Sequence, residues 1–195
     1  MSKLKPLAES EIGDLSDAVK KVEKGLGFLP NSVKTMARVP RIMDGFANLI
    51  GSIMGPGEVD FYLKDLVSHV ASNASGCRYC QAHTIGSAIK SGVSEEQLKE
   101  VWNFENSEHF NEKEKAALRF GFAAGSVPNA VTPQHFEDLK KHFSETQIIE
   151  LGGVVSIFGF LNRWNDSFGT PLEDHAAAKA EKYLGKSGWT IGQHT

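Results

Sequence analysis

The chain of 195 residues is short of cysteine, of a dominant charge and of long apolar runs. Its two cysteines both lie in the tetrapeptide Cys77-Arg78-Tyr79-Cys80. Thiols so close in sequence cannot form the disulfide framework of a secreted scaffold. With 21 Lys and Arg against 24 Asp and Glu, the formal charge is −3. That balance argues against nucleic acid as a partner, because such binding is built mainly from Lys and Arg on phosphates. It argues equally against an anionic membrane surface. The longest nearly unbroken apolar stretch, Leu151 to Leu161, has 11 residues with Gly and Ser inside, too few to span a bilayer. The opening MSKLKPLAES has no apolar signal core, so a cytoplasmic protein is expected. What remains is ordinary: 41% hydrophobic and 23% charged residues, enough for one globular domain with its own core.

Apolar residues recur at helical spacing along the chain. A leading segment, Glu9 to Lys24, carries Ile12, Leu15, Val19 and Val22. Asn31 and Ser32 can cap a short helix ending near Val39. Pro40 to Met54 bears the stripe Ile42, Met43, Phe46, Leu49, Ile50 and Ile53, and further helices are predicted over Glu58–Ala74 and Cys77–Lys90. Ser94 to Gln97, Asn111 to Glu114 and Ser144 to Gln147 are capping-box patterns that open three more. Thr132-Pro133 caps one through Phe143, Pro171 starts a last one to Leu184, and the glycine-rich tail from about residue 185 is expected to be mobile. No window alternates with period two, so the fold class is all-α. The helix from Ser144 is apolar on more than one face, which places it at the centre or at a subunit interface and predicts a homo-oligomer.

An internal repeat runs at an offset of 85 residues. It aligns Asp65 with Glu150, Cys77 with Asn162, Arg78 with Arg163, Tyr79 with Trp164 and Cys80 with Asn165. This pattern predicts a duplicated helical unit in a single domain, with the thiols kept in the first copy and the second copy serving as scaffold.

Cys-x-x-Cys at a helix start is a redox arrangement. Free backbone N–H groups and the helix dipole stabilise a thiolate, lowering its pKa from about 8.5. Three helical steps bring the two sulfurs within about 60° of rotation. Two alternatives stand beside a redox dithiol: inert buried cysteines, and a zinc site in which Cys77 and Cys80 are joined by His83 and by His69 or Asp65. A thioredoxin-like site lacks its βαβ context.

The stretch DLVSHVASNASGCRYCQAHT, Asp65 to Thr84, resembles the core motif of the alkylhydroperoxidase D-like group in the carboxymuconolactone decarboxylase family: an acid, eleven positions, Cys-x-x-Cys, then a His. GFLPNSVKTMARVP (Gly27 to Pro40), FNEKEKAALRFGFAAG (Phe110 to Gly125) and the stretch from His142 to Glu173 are similar to other parts of its peroxidase-related members. The resemblance implies an all-helical oligomer without metal or organic cofactor. It implies an antioxidant thiol peroxidase, in which Cys80 attacks a hydroperoxide and Cys77 resolves the sulfenic acid to a disulfide. A protein or lipoyl-type dithiol then reduces that disulfide. The alternatives are a helical thiol–disulfide oxidoreductase and a binding protein with vestigial or zinc-binding cysteines.

Two positions depart from the family pattern. The family glutamate is Asp65 here, and the family histidine, four residues after the second cysteine, is Thr84, with His83 one place earlier. His83 falls beyond Cys80 on the helix, away from Cys77, and is the first candidate to move protons. His69, four residues after Asp65 on the same face, is the second, through an Asp65–His69 pair. Tyr79 reads as packing, and Arg163 to Asp166 as a polar helix end that forms the far wall or a subunit contact. His109, His135, His142, His175 and His194 read as surface.

Overall fold

A computed structural model describes residues 4–195, which form ten α-helices and no strand. The helices are α1 (Asp17–Leu26), α2 (Asn31–Met36), α3 (Pro40–Met54), α4 (Phe61–Ala74), α5 (Arg78–Lys90), α6 (Glu95–Glu100), α7 (Glu112–Gly125), α8 (Pro133–Lys140), α9 (Glu145–Phe168) and α10 (Asp174–Leu184). The all-α expectation holds.

Local chemistry sets the boundaries. Ser94, Asn111 and Ser144 each accept from the N–H three residues on and are answered by Gln97, Glu114 and Gln147. The leading segment starts its helix later than periodicity predicts. Residues Glu9–Glu11 form only a 3-10 turn, and α1 begins where the Ser16 side chain accepts from Val19 N–H. Helix α10 begins at Asp174, not Pro171, and the Leu172 N–H ahead of it donates to the carbonyl of His194.

Helix α4 runs through the centre, with ten of its fourteen residues buried from Leu63 to Ser72. It packs on α5, α7 and α9. Each Leu or Val such as Leu66 and Val67, both 0% exposed, contributes about 1.5–3 kcal/mol by leaving water. Helix α7 comes unusually close: a methyl built on Gly125 would meet the Ala71 backbone at 2.7 Å. Helix α9 also crosses the interior, touching α3, α4, α5 and α7, yet Ile149 and Phe160 on it stay exposed.

The repeat is only partly carried by the structure. Gly76, at φ +79°, breaks the chain between α4 and α5. The equivalent positions in the second copy, Phe160 and Leu161, lie inside the continuous α9. The break in the first copy is what frees a helix N-terminus at the cysteines.

Glycine content predicts a mobile tail, but residues 185–195 pack back on the body. Trp189 is 5% exposed and donates its indole N–H to the Arg78 carbonyl at 3.3 Å. His194, expected at the surface, is 1% exposed. Gly188 (φ +82°) and Gly192 (φ +60°) let the tail turn, and Trp189 and Ile191 join the core.

Candidate active site

Cys77 occupies the N-cap of α5, and its sulfur accepts the Cys80 N–H at 3.4 Å. Both thiols are free and buried. They are not equivalent. Cys80 lines a largely apolar cavity of about 840 Å³ bounded by α1, α3, α4, α5 and α9, while Cys77 lies behind it, off the cavity wall. The hydrogen bond to the Cys80 sulfur pushes the Cys77 thiol well up, with burial adding to the effect. Cys77 therefore keeps its proton, and Cys80 presents its sulfur to the cavity.

Asn165, at the end of α9, donates its side-chain N–H to the Cys80 sulfur at 3.4 Å. Its side-chain oxygen is buried with no partner among the described residues, and the residue lines the cavity. The second copy is thus more than scaffold here: the residue aligned with Cys80 touches Cys80.

Asp65 lies on the cavity wall in the first turns of α4, beside Ser91 at the far end of α5 from the thiols. Burial pushes its carboxyl up to about 6 against a weaker opposing hydrogen bond from Ser91. A group so placed exchanges protons near neutral pH.

His83 also lines the cavity, but its ring is held elsewhere. Its Nε2 lies 2.7 Å from Glu173 Oε2, and its ring stacks on Tyr79 at 4.4 Å and 24°. Glu173 Oε1 accepts from Asn31 N–H at 2.6 Å and from the Tyr79 hydroxyl at 3.2 Å. Burial alone would raise the Glu173 carboxyl, but the His83 hydrogen bond and charge, with the Asn31 N–H, outweigh it and hold the group below its ordinary range. Tyr79, read as packing from sequence, links this clamp to α2 by accepting Ser32 N–H at 3.3 Å.

His69 is placed differently from the expected Asp65–His69 pair. It is 1% exposed, lies off the cavity wall and stacks on Trp102 at 4.8 Å. Its Nδ1 meets the Thr84 hydroxyl at 2.7 Å, and that hydroxyl donates to the Cys80 carbonyl at 2.8 Å. Since the hydroxyl proton is spent on the carbonyl, Nδ1 carries the hydrogen and Nε2 is left bare. Burial lowers the ring to about 3, so His69 is a neutral packing residue that braces α5.

The zinc grouping of Cys77 and Cys80 with His83 and His69 or Asp65 is not assembled among the described residues. Instead Cys77 has Asp166 and His194 beside it, the sulfur, a carboxylate oxygen and a ring nitrogen lying within 4.8 Å of one another.

Sequence reasoning set Asn165 and Asp166 in a polar helix end on the far wall or at a subunit contact, and it missed Glu173 and His194. Asn165 was legible in the repeat, as the partner of Cys80 at the same offset. Glu173 closes the stretch that carries the family resemblance, though nothing in its spacing links it to His83. His194 has no sequence signal.

The carboxymuconolactone decarboxylase family profile matches residues 40–123. The debrominase Bmp8 in its apo form superposes with a TM-score of 0.86 at 32% identity, covering 92% of this chain and 96% of that one. A cysteine-to-alanine variant of Bmp8, crystallised in complex with 2,3,4-tribromopyrrole, matches equally well at 31% identity. An uncharacterised peroxidase-related protein with an alkylhydroperoxidase D core from Ralstonia eutropha JMP134 shares the fold, with a TM-score of 0.76 and 19% identity over 90% of this chain and 94% of that one. Uncharacterised YdfG of Bacillus subtilis (strain 168) is 24% identical over 103 residues, 52% of this chain and 68% of YdfG. Motif, fold and similarity agree, and the chain belongs to the carboxymuconolactone decarboxylase family and has the fold of its alkylhydroperoxidase D-like members.

Proposed function

We propose that this protein is a dithiol reductase whose Cys80 attacks an electrophilic atom of an apolar organic substrate and whose Cys77 completes a two-electron reduction. The observation that carries this reading is the asymmetry of the pair: one sulfur on the wall of a large apolar cavity, the other protonated behind it. A pocket of some 840 Å³ is oversized for hydrogen peroxide and suits an organic molecule.

The first substrate class is an organic hydroperoxide. The Cys80 sulfur attacks the terminal oxygen, an S–O bond forms, the O–O bond breaks, and the departing alkoxide takes a proton. Asp65, on the same cavity wall at the Ser91 end of α5, supplies that proton through water in the cavity, its carboxyl titrating near 6. Cys77 then attacks the Cys80 sulfenic acid, an S–S bond forms, and hydroxide leaves as water with the Cys77 proton. In sum, one hydroperoxide and two thiols give an alcohol, water and a disulfide, and a partner dithiol restores the pair. Asn165 steadies the Cys80 sulfur, and the Glu173–His83–Tyr79 clamp holds the near wall.

The full-length similarity to a debrominase favours a second substrate class, a halogenated aromatic. Here the Cys80 sulfur takes the halogen, the ring carbon takes a proton, and Cys77 displaces halide to leave the same disulfide. Aryl halide and two thiols give arene, hydrogen halide and disulfide.

One experiment separates the classes. Reduced protein is mixed with cumene hydroperoxide or with a bromopyrrole, and thiols are counted while alcohol or bromide is measured. The proposal expects loss of two thiols per chain with one of the substrates, abolished in Cys80→Ser. Unchanged reactivity of Cys80→Ser overturns it. The exposed apolar side chains Ile42, Leu49, Ile149 and Phe160 on α3 and α9 support a homo-oligomer, which light scattering tests.

A further inference from the structure

Cys77 has a proton to lose and no solvent to receive it. It is 0% exposed and lies off the cavity wall, so water in the cavity reaches Cys80 and not its partner. The dithiol reading leaves this proton unassigned at the step where Cys77 must become a nucleophile. The ionisable groups gathered at the Cys77 sulfur are Asp166 from the end of α9 and His194 from the C-terminal tail, all three reactive atoms lying within 4.8 Å of one another.

The hydrogen bonds decide the state of the His194 ring. Its Nδ1 lies 2.8 Å from the Thr170 carbonyl, which can only accept, so Nδ1 carries a hydrogen. Its Nε2 lies 3.2 Å from Asp166 Oδ1, another acceptor. That second contact is attractive only when Nε2 also carries a proton. A carbonyl holds Nδ1 protonated and a carboxylate waits at Nε2, so a ring neutral before the step is set to share a proton taken up at Nε2, directly beside a thiol that must give one up.

We propose that the Asp166–His194 pair is the proton acceptor for Cys77, and that the C-terminal tail is a working part of the redox site. The inference rests on the dithiol reading. As Cys77 attacks the oxidised Cys80 sulfur, its S–H proton passes to His194 Nε2, where Asp166 Oδ1 shares it. The S–S bond forms and the S–O bond breaks. The departing hydroxide takes the proton back from Nε2, directly or through one water, and leaves as water, and the ring returns to its starting form.

The tail is held in register for this role. Trp189 anchors it on the Arg78 carbonyl, the His194 carbonyl accepts Leu172 N–H at 2.8 Å, and the Gln193 side chain donates to the Asp166 carbonyl at 3.1 Å. The titratable and charged groups facing His194 are Asp166 from α9, Cys77 and Tyr79 from the start of α5, with the Tyr79 ring at 5.8 Å, and Arg78, whose side chain lies against Gly192 of the tail. Tyr79 directs its hydroxyl at Glu173, which leaves Asp166 as the acid bonded to the ring.

The test separates the two half-reactions in His194→Gln, Asp166→Asn and His194→Gly. With cumene hydroperoxide in rapid mixing, the first thiol of His194→Gln should be oxidised at the parental rate, giving a sulfenic acid that dimedone traps. Disulfide formation should slow ten-fold or more, and its pH profile should flatten. Added imidazole should restore the rate in His194→Gly, a rescue that a purely structural histidine would not show. A parental rate and pH profile of disulfide formation in both His194→Gln and Asp166→Asn would overturn the proposal. A second measurement needs no peroxide. In the Cys80→Ser background, alkylation of Cys77 by iodoacetamide is followed against pH, and His194→Gln should move the midpoint up by one pH unit or more. An unmoved midpoint counts against the pair. A moved midpoint in a protein that reduces neither substrate keeps the pair and rejects the proposed reaction.

Discussion

Asn165 donates its side-chain N–H to the sulfur of Cys80 at 3.4 Å, across the same 85 positions that separate the two copies of the internal repeat. Asn165 stands at the position the repeat aligns with Cys80, and its amide steadies that sulfur. A hydrogen bond to a charged acceptor contributes about 1.5–3 kcal/mol. Asn165→Ala should therefore slow alkylation of Cys80 by iodoacetamide roughly ten- to hundred-fold, as that energy range implies. Asn165→Asp, which sets a like charge against the thiolate, should slow it further. Equal rates in the three proteins would remove Asn165 from the mechanism.

Asp65 is held against its own ionisation. The unfolded carboxyl ionises near 3.8, whereas the folded one keeps its proton to about 6. Its contribution to stability is thus fully present below pH 3.8 and is lost as pH rises through 6. At about 1.4 kcal/mol per pKa unit the loss has a ceiling of roughly 3 kcal/mol. Asp65→Asn should be more stable than the parent at pH 8, with the gap closing towards pH 4, as thermal melts across pH will read. The same variant should lose its acid-dependent rate limb near pH 6.

His69 works in the opposite sense. Its unfolded ring takes a proton near 6.5 and its folded ring only near 3. Stability is therefore full above pH 6.5 and falls as pH drops towards 3, by at most about 1.4 kcal/mol per pH unit. His69→Gln should flatten that slope in denaturant titrations while leaving thiol oxidation by hydroperoxide near the parental rate. A large loss of rate would return His69 to the reacting groups.

Glu173 clamps His83, Tyr79 and the start of α2 at once. Its carboxyl is held below the ordinary range, so its contribution is present above the unfolded value of about 4.3 and is lost as pH falls through the folded one. Glu173→Gln should lower Tm at pH 7, and the difference from the parent should shrink below about pH 4. An unchanged Tm at pH 7 would show that the clamp does not hold the wall.

Most of the helices were legible because their signals are local. Ser94, Asn111 and Ser144 satisfy N–H groups three residues away, and Pro40 begins a helix whose apolar stripe repeats every three to four residues. The leading helix was misplaced because Ser16 competes for the same start, and hydrophobic spacing does not weigh caps. The spacing of Cys77 and Cys80 made them candidates, and the family resemblance added Asp65. The histidines were harder. Both His69 and His83 sit one turn from a candidate partner, yet one turns inward to Thr84 and Trp102 and the other outward to Glu173.

The sequence by itself determined the class and the chemistry: a helical chain, a single dithiol at a helix start, and an acid on the preceding helix. Those are consequences of periodicity, capping and spacing, which act over a few residues. Only the tertiary structure decided which sulfur faces the cavity, which histidine is buried neutral, and that the tail brings His194 to Cys77. Such relations join residues 85 or more positions apart, or set one face of a helix against another. They follow from how α5, α9 and the tail pack around α4, where burial and hydrogen-bond satisfaction across the whole chain choose the arrangement.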